Sequence, residues 1–216
     1  MDTDTDVKIR PADPTDAAGL LALQATLDRE SRYMLLEPGE RGTELPDPSY
    51  RLICFDGEPV GYVDVSVLPY ARARGTGYVV MGVRSSHAGR GLGRALLEAA
   101  IARAHDRGLR RLELTVMTHN RAALGLYLRC GFRIEGLRRA ALHIDGTDID
   151  EYYMGRLLRP TGTVPGSAVR DSRNLSATPG HVRASARDTS SADGTADGPA
   201  HTVKASVLRS GPIIKV

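Results

Sequence analysis

Three glycines at a spacing of two, in Gly89-Arg90-Gly91-Leu92-Gly93, separate an apolar run, Val79-Val80-Met81-Gly82-Val83, from an amphipathic run that starts at Leu92. A strand, a glycine-rich turn and a helix in that order can hold an anion. Glycine lets the main chain approach a ligand closely, and the first N–H groups of a helix have no internal partner, so they point at whatever sits over its end. The chemistry expected is the binding of a phosphate or pyrophosphate. Common nucleotide fingerprints do not fit: no run has the P-loop's four residues between glycines followed by Gly-Lys-Ser/Thr. In the dinucleotide fingerprint the third glycine would fall on Arg94 or, in the other phase, on Leu96. The same residues could equally be a tight strand-to-helix connection without a ligand, so a second signal is needed.

It follows the alternating run Leu112-Glu113-Leu114-Thr115-Val116, as Asn120-Arg121-Ala122-Ala123-Leu124-Gly125-Leu126-Tyr127-Leu128-Arg129-Cys130-Gly131-Phe132. With both segments in view, the chain resembles the GNAT superfamily of acyl-coenzyme A-dependent N-acetyltransferases. Their pyrophosphate loop reads Q/R-x-x-G-x-G/A and their later segment N-x-x-A-x-x-L-Y-x-x-x-G-F. Gly91 and Gly93 match the loop; Asn120, Ala123, Leu126, Tyr127, Gly131 and Phe132 match the later segment. Ala88 stands where the family has Gln or Arg, a position that contributes chiefly through its backbone amide.

The resemblance spans roughly residues 7 to 158. It implies an α/β fold built on a central mixed sheet, with flanking helices and two parallel strands splayed at their carboxyl ends. Acetyl-CoA is the implied co-substrate, without a metal. Its pyrophosphate would lie over Ala88, Gly89, Arg90, Gly91, Leu92 and Gly93, with Arg90 and Arg94 adding charge. Its pantetheine amides would pair with backbone at Met81, Gly82 and Val83, and Asn120 and Ala123 would lie along the cofactor arm. Tyr127 takes the family's general-acid position, protonating the thiolate, while a backbone N–H near Val83 polarises the carbonyl. Relatives often carry a Glu on the strand before the loop; Thr76 to Val83 has neither carboxylate nor His. Amine deprotonation through water or before binding is then the leading option, with His119, Asp150 and Glu151 as candidates to assist and Asp64, Glu37 and Glu40 as attractors of a cationic acceptor. The activity implied is acetyl transfer to a primary amine of a small molecule or peptide. A non-catalytic acyl-CoA-binding module with a partner-recruiting tail is the alternative.

Composition sets the frame. All eight Tyr and both Phe precede residue 160. The segment 161–216 is rich in Ser, Thr, Ala, Gly, Asp and Arg, cannot bury enough apolar surface to offset chain ordering, and reads as a disordered tail after a domain at 1–160. Its seven Lys and Arg against four Asp account for the whole formal charge of +3, so residues 1–160 balance at zero. A neutral domain argues against nucleic acid as partner. No apolar run nears the roughly 20 residues of a membrane span, and an acidic Met1-Asp2-Thr3-Asp4 is unlike a signal peptide, so a cytoplasmic protein is expected, with a homodimer left open. Cys54 and Cys130 have no metal or disulfide spacing and read as small buried side chains.

The elements that must position these residues are legible in outline. Val7 to Arg10 alternates as a first strand; Asp13-Pro14-Thr15-Asp16 reads as a capped helix start before Ala17, Leu20, Leu21, Leu23 and Leu27. Residues 31–49 lose periodicity and collect prolines and glycines, as a loop or short helix over the surface. Strands are expected at Arg51–Phe55, Val60–Leu68, Tyr78–Val83 (apolar throughout, hence covered on both faces), Leu112–Val116, Phe132–Arg138 and Asp150–Leu157, with a hairpin signal at Asp145-Gly146. A helix from Gly91 to Arg107 with Gly108 as its stop would make the strands on either side of it a parallel pair.

Overall fold

The computed structural model describes residues 7–158. Seven strands form one sheet in the order β1-β2-β3-β4-β5-β7-β6: β1 Lys8–Pro11, β2 Tyr50–Asp56, β3 Glu58–Val67, β4 Thr76–Val83, β5 Arg111–Met117, β6 Arg133–Ile144 and β7 Thr147–Leu157. Three helices flank it: α1 Ala17–Glu30, α2 Leu92–Asp106 and α3 Arg121–Arg129. Asp13 starts the first helical segment as a capping box, its side chain accepting the Thr15 N–H at 2.8 Å while Asp16 accepts the Asp13 N–H at 2.8 Å. At the other hairpin end, Asp145 and Gly146 have φ of 49° and 76°, the two-residue turn whose twist suits joined strands.

All neighbours are antiparallel except β4 and β5, which the α2 crossover makes parallel. On one face α2 and α3 cover the main core, where Leu96, Leu97, Ala100, Leu112 and Met154 are fully buried. On the other, Leu20, Leu23 and Leu27 of α1 pack on Ile53 and Tyr62. The expectation that β4 is covered on both faces is corrected: Val79 is buried under α2, but Val80, on the face opposite, is 43% exposed because α1 does not extend over it. β6 is also longer than its apolar pattern suggested. It runs to Ile144 past a bulge between Arg138 and Leu142 that local periodicity does not reveal.

Two glycines in β4 mark close approach. A Cβ on Gly82 would lie 2.7 Å from Leu27, so its absence lets α1 sit on the strand. A Cβ on Gly77 would lie 2.7 Å from Val65 and 3.0 Å from Leu112, at the place where β4 still pairs with β5. Gly77→Ala should therefore overpack this junction and cost about 1–3 kcal/mol, read as a lower urea midpoint at unchanged m-value.

Candidate functional site

β4 and β5 pair at Thr76–Arg111, Gly77–Leu112 and Tyr78–Glu113 and nowhere beyond. Their outer edges stay fully engaged, β4 with β3 up to Val83 and β5 with β7 up to Met117, so the two halves of the sheet diverge. Backbone direction alternates along a strand. Because the Thr76 C=O and the Arg84 N–H bond toward β3, the N–H and C=O of Met81 and Val83 face the gap. On the opposite wall the Arg110 C=O and Thr118 N–H bond toward β7, so the backbone groups of Thr115 and Met117 face the gap; the Met117 C=O accepts the Asn120 N–H at 2.9 Å. Gly82 differs from its neighbours: its backbone faces β3.

The gap opens toward the glycine loop. Gly89 and Gly91 adopt φ of 76° and 80°, in the left-handed region that other residues enter at a cost, and neither has an atom within 4 Å of where a Cβ would be. Gly91 is the N-cap of α2, has no capping side chain, and accepts the first helical bond from the Ala95 N–H. The N–H groups of Leu92, Gly93 and Arg94 precede that bond and remain for a ligand. Glu30, at the end of α1, fixes the start of the loop by accepting from the Ser85 N–H at 2.9 Å, the Ser85 hydroxyl at 3.0 Å and Arg84 at 3.3 Å. Sequence reasoning missed this clamp, because 55 residues separate Glu30 from Ser85 and no local pattern links them.

The two loop arginines each have a carboxylate neighbour. Arg90 bonds Asp56 at 3.2 Å, and Arg94 bonds Glu98 one turn along α2 at 2.8 Å. Both lie on the exposed rim, and their charge is shared with a carboxylate.

α3 is framed by its own motif. The Asn120 side chain caps it by accepting the Ala123 N–H at 3.1 Å. At its end Gly131, with φ of 81°, allows Gly131 N–H to Leu128 C=O and Phe132 N–H to Tyr127 C=O bonds, both 3.0 Å, the Schellman arrangement. Phe132 then packs against the Tyr127 ring at 5.9 Å. Tyr127 is 9% exposed, and among the described residues its hydroxyl has no hydrogen-bond partner. Burial pushes its pKa well above the ordinary phenol value, with Tyr78 adding in the same direction, so the hydroxyl is a proton donor at neutral pH.

On the α1 face, the Tyr78 and Thr115 hydroxyls meet at 2.9 Å across the vertex of the gap. Glu151 stands opposite Met117 on β7 and accepts from Arg138 at 2.5 Å. The segment after α1 reaches this side of the molecule: the Tyr33 ring lies 5.4 Å from the His119 ring, and Arg32 pairs with Asp145 at 3.1 Å. The remaining charged candidates have structural partners. Asp64 gives both oxygens to Arg51 in a buried pair, which corrects its reading as an attractor of a cationic acceptor. Burial nevertheless raises its pKa, outweighing that arginine. Asp150 accepts the Ala140 N–H at 2.8 Å within the β6 bulge, and Glu40 closes a local turn onto the Glu37 N–H.

Known proteins share this arrangement. The sequence pattern of the Acetyltransferase (GNAT) family matches residues 20–132. The L-amino acid N-acetyltransferase of Escherichia coli K12 is 32% identical over 120 residues, 55% of this chain and 74% of that protein. The L-methionine sulfoximine/L-methionine sulfone acetyltransferase of Pseudomonas aeruginosa PAO1 is 34% identical over 110 residues, 50% of this chain and 64% of that protein. A GNAT acetyltransferase from Streptococcus pneumoniae superposes with a TM-score of 0.67 at 33% identity, over 71% of this chain and 100% of that one. The yncA protein of Salmonella typhimurium, solved with its cofactor acetyl-CoA, has the same fold at 19% identity, with a TM-score of 0.61 over 76% of this chain and 99% of that one. The matched segment runs from α1 through the splayed strands, the glycine loop and α3 to Phe132, and the chain belongs to the GNAT family of acetyltransferases.

Proposed function

We propose that this protein transfers an acetyl group from acetyl-CoA to the primary amine of an amino acid or a similarly small molecule, with the donor's arm lying between β4 and β5. The observation that carries the reading is the pair of facing walls, Met81 and Val83 against Thr115 and the Met117 N–H, whose backbone groups lack a strand partner and open beside the uncapped first turn of α2, the Met117 C=O being taken by Asn120. Unmet backbone groups in a cleft suit a ligand whose own amides alternate along an extended chain, as pantetheine's do. The Ala88-to-Arg94 loop then takes the pyrophosphate on backbone N–H groups, and Asn120 and Ala123 border the arm. Amino acids as acceptors are supported by the relatives from Escherichia coli and Pseudomonas. The catalytic unit is residues 1–160, and its site of action is the cytoplasm.

Acetyl-CoA supplies an activated carbonyl carbon and a thiolate leaving group. The Val83 N–H, directed into the gap, stabilises charge developing on the carbonyl oxygen. Tyr127 gives its hydroxyl proton to the departing sulfur as the C–S bond breaks and the C–N bond forms. β4 offers no carboxylate or imidazole, so the amine loses its proton to solvent, and the phenol is reprotonated from solvent. Turnover, read as thiol release from acetyl-CoA with a panel of amino acids, should fall about 10²-fold or more in Tyr127→Phe, the usual weight of a positioned acid, with unfolding unchanged. Equal turnover in that variant removes the assigned acid, and tight acetyl-CoA binding without turnover of any amine marks a non-catalytic module instead.

The loop clamp gives a pH test. Hydrogen bonds from Ser85 hold the Glu30 carboxyl below its ordinary pKa of 4.5. A lowered folded-state pKa means that its stabilisation is complete at neutral pH and is lost as pH falls from the ordinary value through the folded one. Wild type should exceed Glu30→Gln in urea resistance at pH 7. That margin should shrink below about pH 4.5, and acetyl-CoA affinity in the variant should be reduced.

A further inference from the structure

The sheet face on which α1 packs carries, beyond the reach of that helix, a polar group that catalysis by Tyr127 does not use. Arg138 on β6 lies opposite Glu151 on β7, which in turn lies opposite Met117 at the open end of β5. Glu151 is 7% exposed, and a carboxylate that far from water is tolerated only with a partner. Its partner is Nη1 of Arg138, while the Arg138 side chain remains 47% exposed and its Nε and Nη2 have no further partner among the described residues. Arg51 and Arg111 on the same face are committed, the first to Asp64 and the Pro46 carbonyl, the second to Glu113 and Glu135.

The backbone beside this pair is built out of regular pairing. Arg139, Ala140 and Ala141 stand between the Arg138–Glu151 and Leu142–Ile149 pairs, opposite the single residue Asp150. Ala140 has φ of 46°, and the Asp150 carboxylate holds its N–H at 2.8 Å. A bulge re-aims the neighbouring side chain, and one secured by a carboxylate at the mouth of a cleft is a positional device. The Tyr78 hydroxyl, bonded to Thr115 at 2.9 Å across the vertex of the β4–β5 gap, feels the charge of both Glu151 and Arg138 on the same side of the sheet.

We propose that Arg138, held by Glu151, reads the carboxylate of an amino acid acceptor through Nε and Nη2, while the amine of that acceptor reaches into the gap. A guanidinium fixed on one side by a carboxylate presents a preset fork to a second one, which suits bidentate recognition. Arg138 is thus a specificity-determining residue and takes no part in proton transfer. The inference rests on acetyl transfer occurring in the β4–β5 gap.

The test compares an L-amino acid with its carboxamide, the same amine without the negative charge, in the full-length protein. Arg138→Gln should raise KM for the amino acid on the order of 10- to 100-fold. Its kcat should stay within about threefold, as expected for lost uniform binding, with KM for the amide and the Kd of acetyl-CoA unchanged, and Arg138→Lys should restore part of the loss. Because Arg138→Gln leaves a buried carboxylate alone, the double variant Arg138→Gln, Glu151→Gln is measured beside it and should show the same loss of discrimination in a folded protein. Equal changes for acid and amide, or no change for the acid, overturn the role of Arg138 while leaving acetyl transfer standing. A wild-type protein that binds acetyl-CoA yet acetylates neither compound overturns both.

Discussion

The parallel contact between β4 and β5 lasts three residue pairs, and the rest of the architecture follows from its brevity. Two antiparallel half-sheets, β1 to β4 and β5 to β6, are each held by longer ladders than the seam between them. Gly77 allows the seam to close at one end, where Val65 and Leu112 leave no room for a Cβ. Past Tyr78 the strands part and forgo ladder bonds. Each buried backbone group left unsatisfied costs roughly 1–3 kcal/mol, so such a gap persists only when water or a ligand occupies it. The fold therefore stores its binding capacity as unmade hydrogen bonds, and the surrounding ladders keep it from collapsing.

Ordering of the segment after α1 depends on buried charge. Arg41 reaches back from the irregular segment after α1 to both oxygens of Asp28, at 2.7 and 2.9 Å, and to Gln24 at 3.0 Å. Next to it Arg51 holds Asp64. Buried ion pairs add little net stability, because desolvation cancels most of their attraction, but removing one partner strands the other at about 3–5 kcal/mol. Their effect is to exclude other placements of residues 31–49, the segment that brings Tyr33 to His119. The exposed Arg32–Asp145 pair at the same rim has no comparable weight.

Much of this was legible in the sequence where the physics is local. Gly91 and Gly93 followed by an amphipathic run announce α2, and Asp145-Gly146 announces the last hairpin; Asn120 through Phe132 was legible as a family segment, while its two helix caps emerged only from the structure. Pairing over long separations was not legible. Nothing near Arg90 points to Asp56, nothing near Asp64 points to Arg51, and an acidic residue in a strand reads the same whether it is solvated or held by a buried arginine. β4 read as doubly covered because Val79, Val80 and Met81 are all apolar, yet coverage is decided by how far α1 extends. A bulge such as that at Ala140 leaves no periodic signature, so the Arg138–Glu151 pair could only emerge from the register of β6 on β7.

Tyr127 distinguishes packing from chemistry within one motif. Asn120 caps α3, Gly131 terminates it, and Phe132 seals its end; each has a complete structural account. The ring of Tyr127 has one too, since it fills the space against Phe132. Its hydroxyl does not: it bonds to no described residue yet is not sealed from water, so a phenylalanine would fill the same space. Under the proposed reaction the gap beside α3 supplies its use, where sulfur acquires charge and a protonated phenol can donate to it.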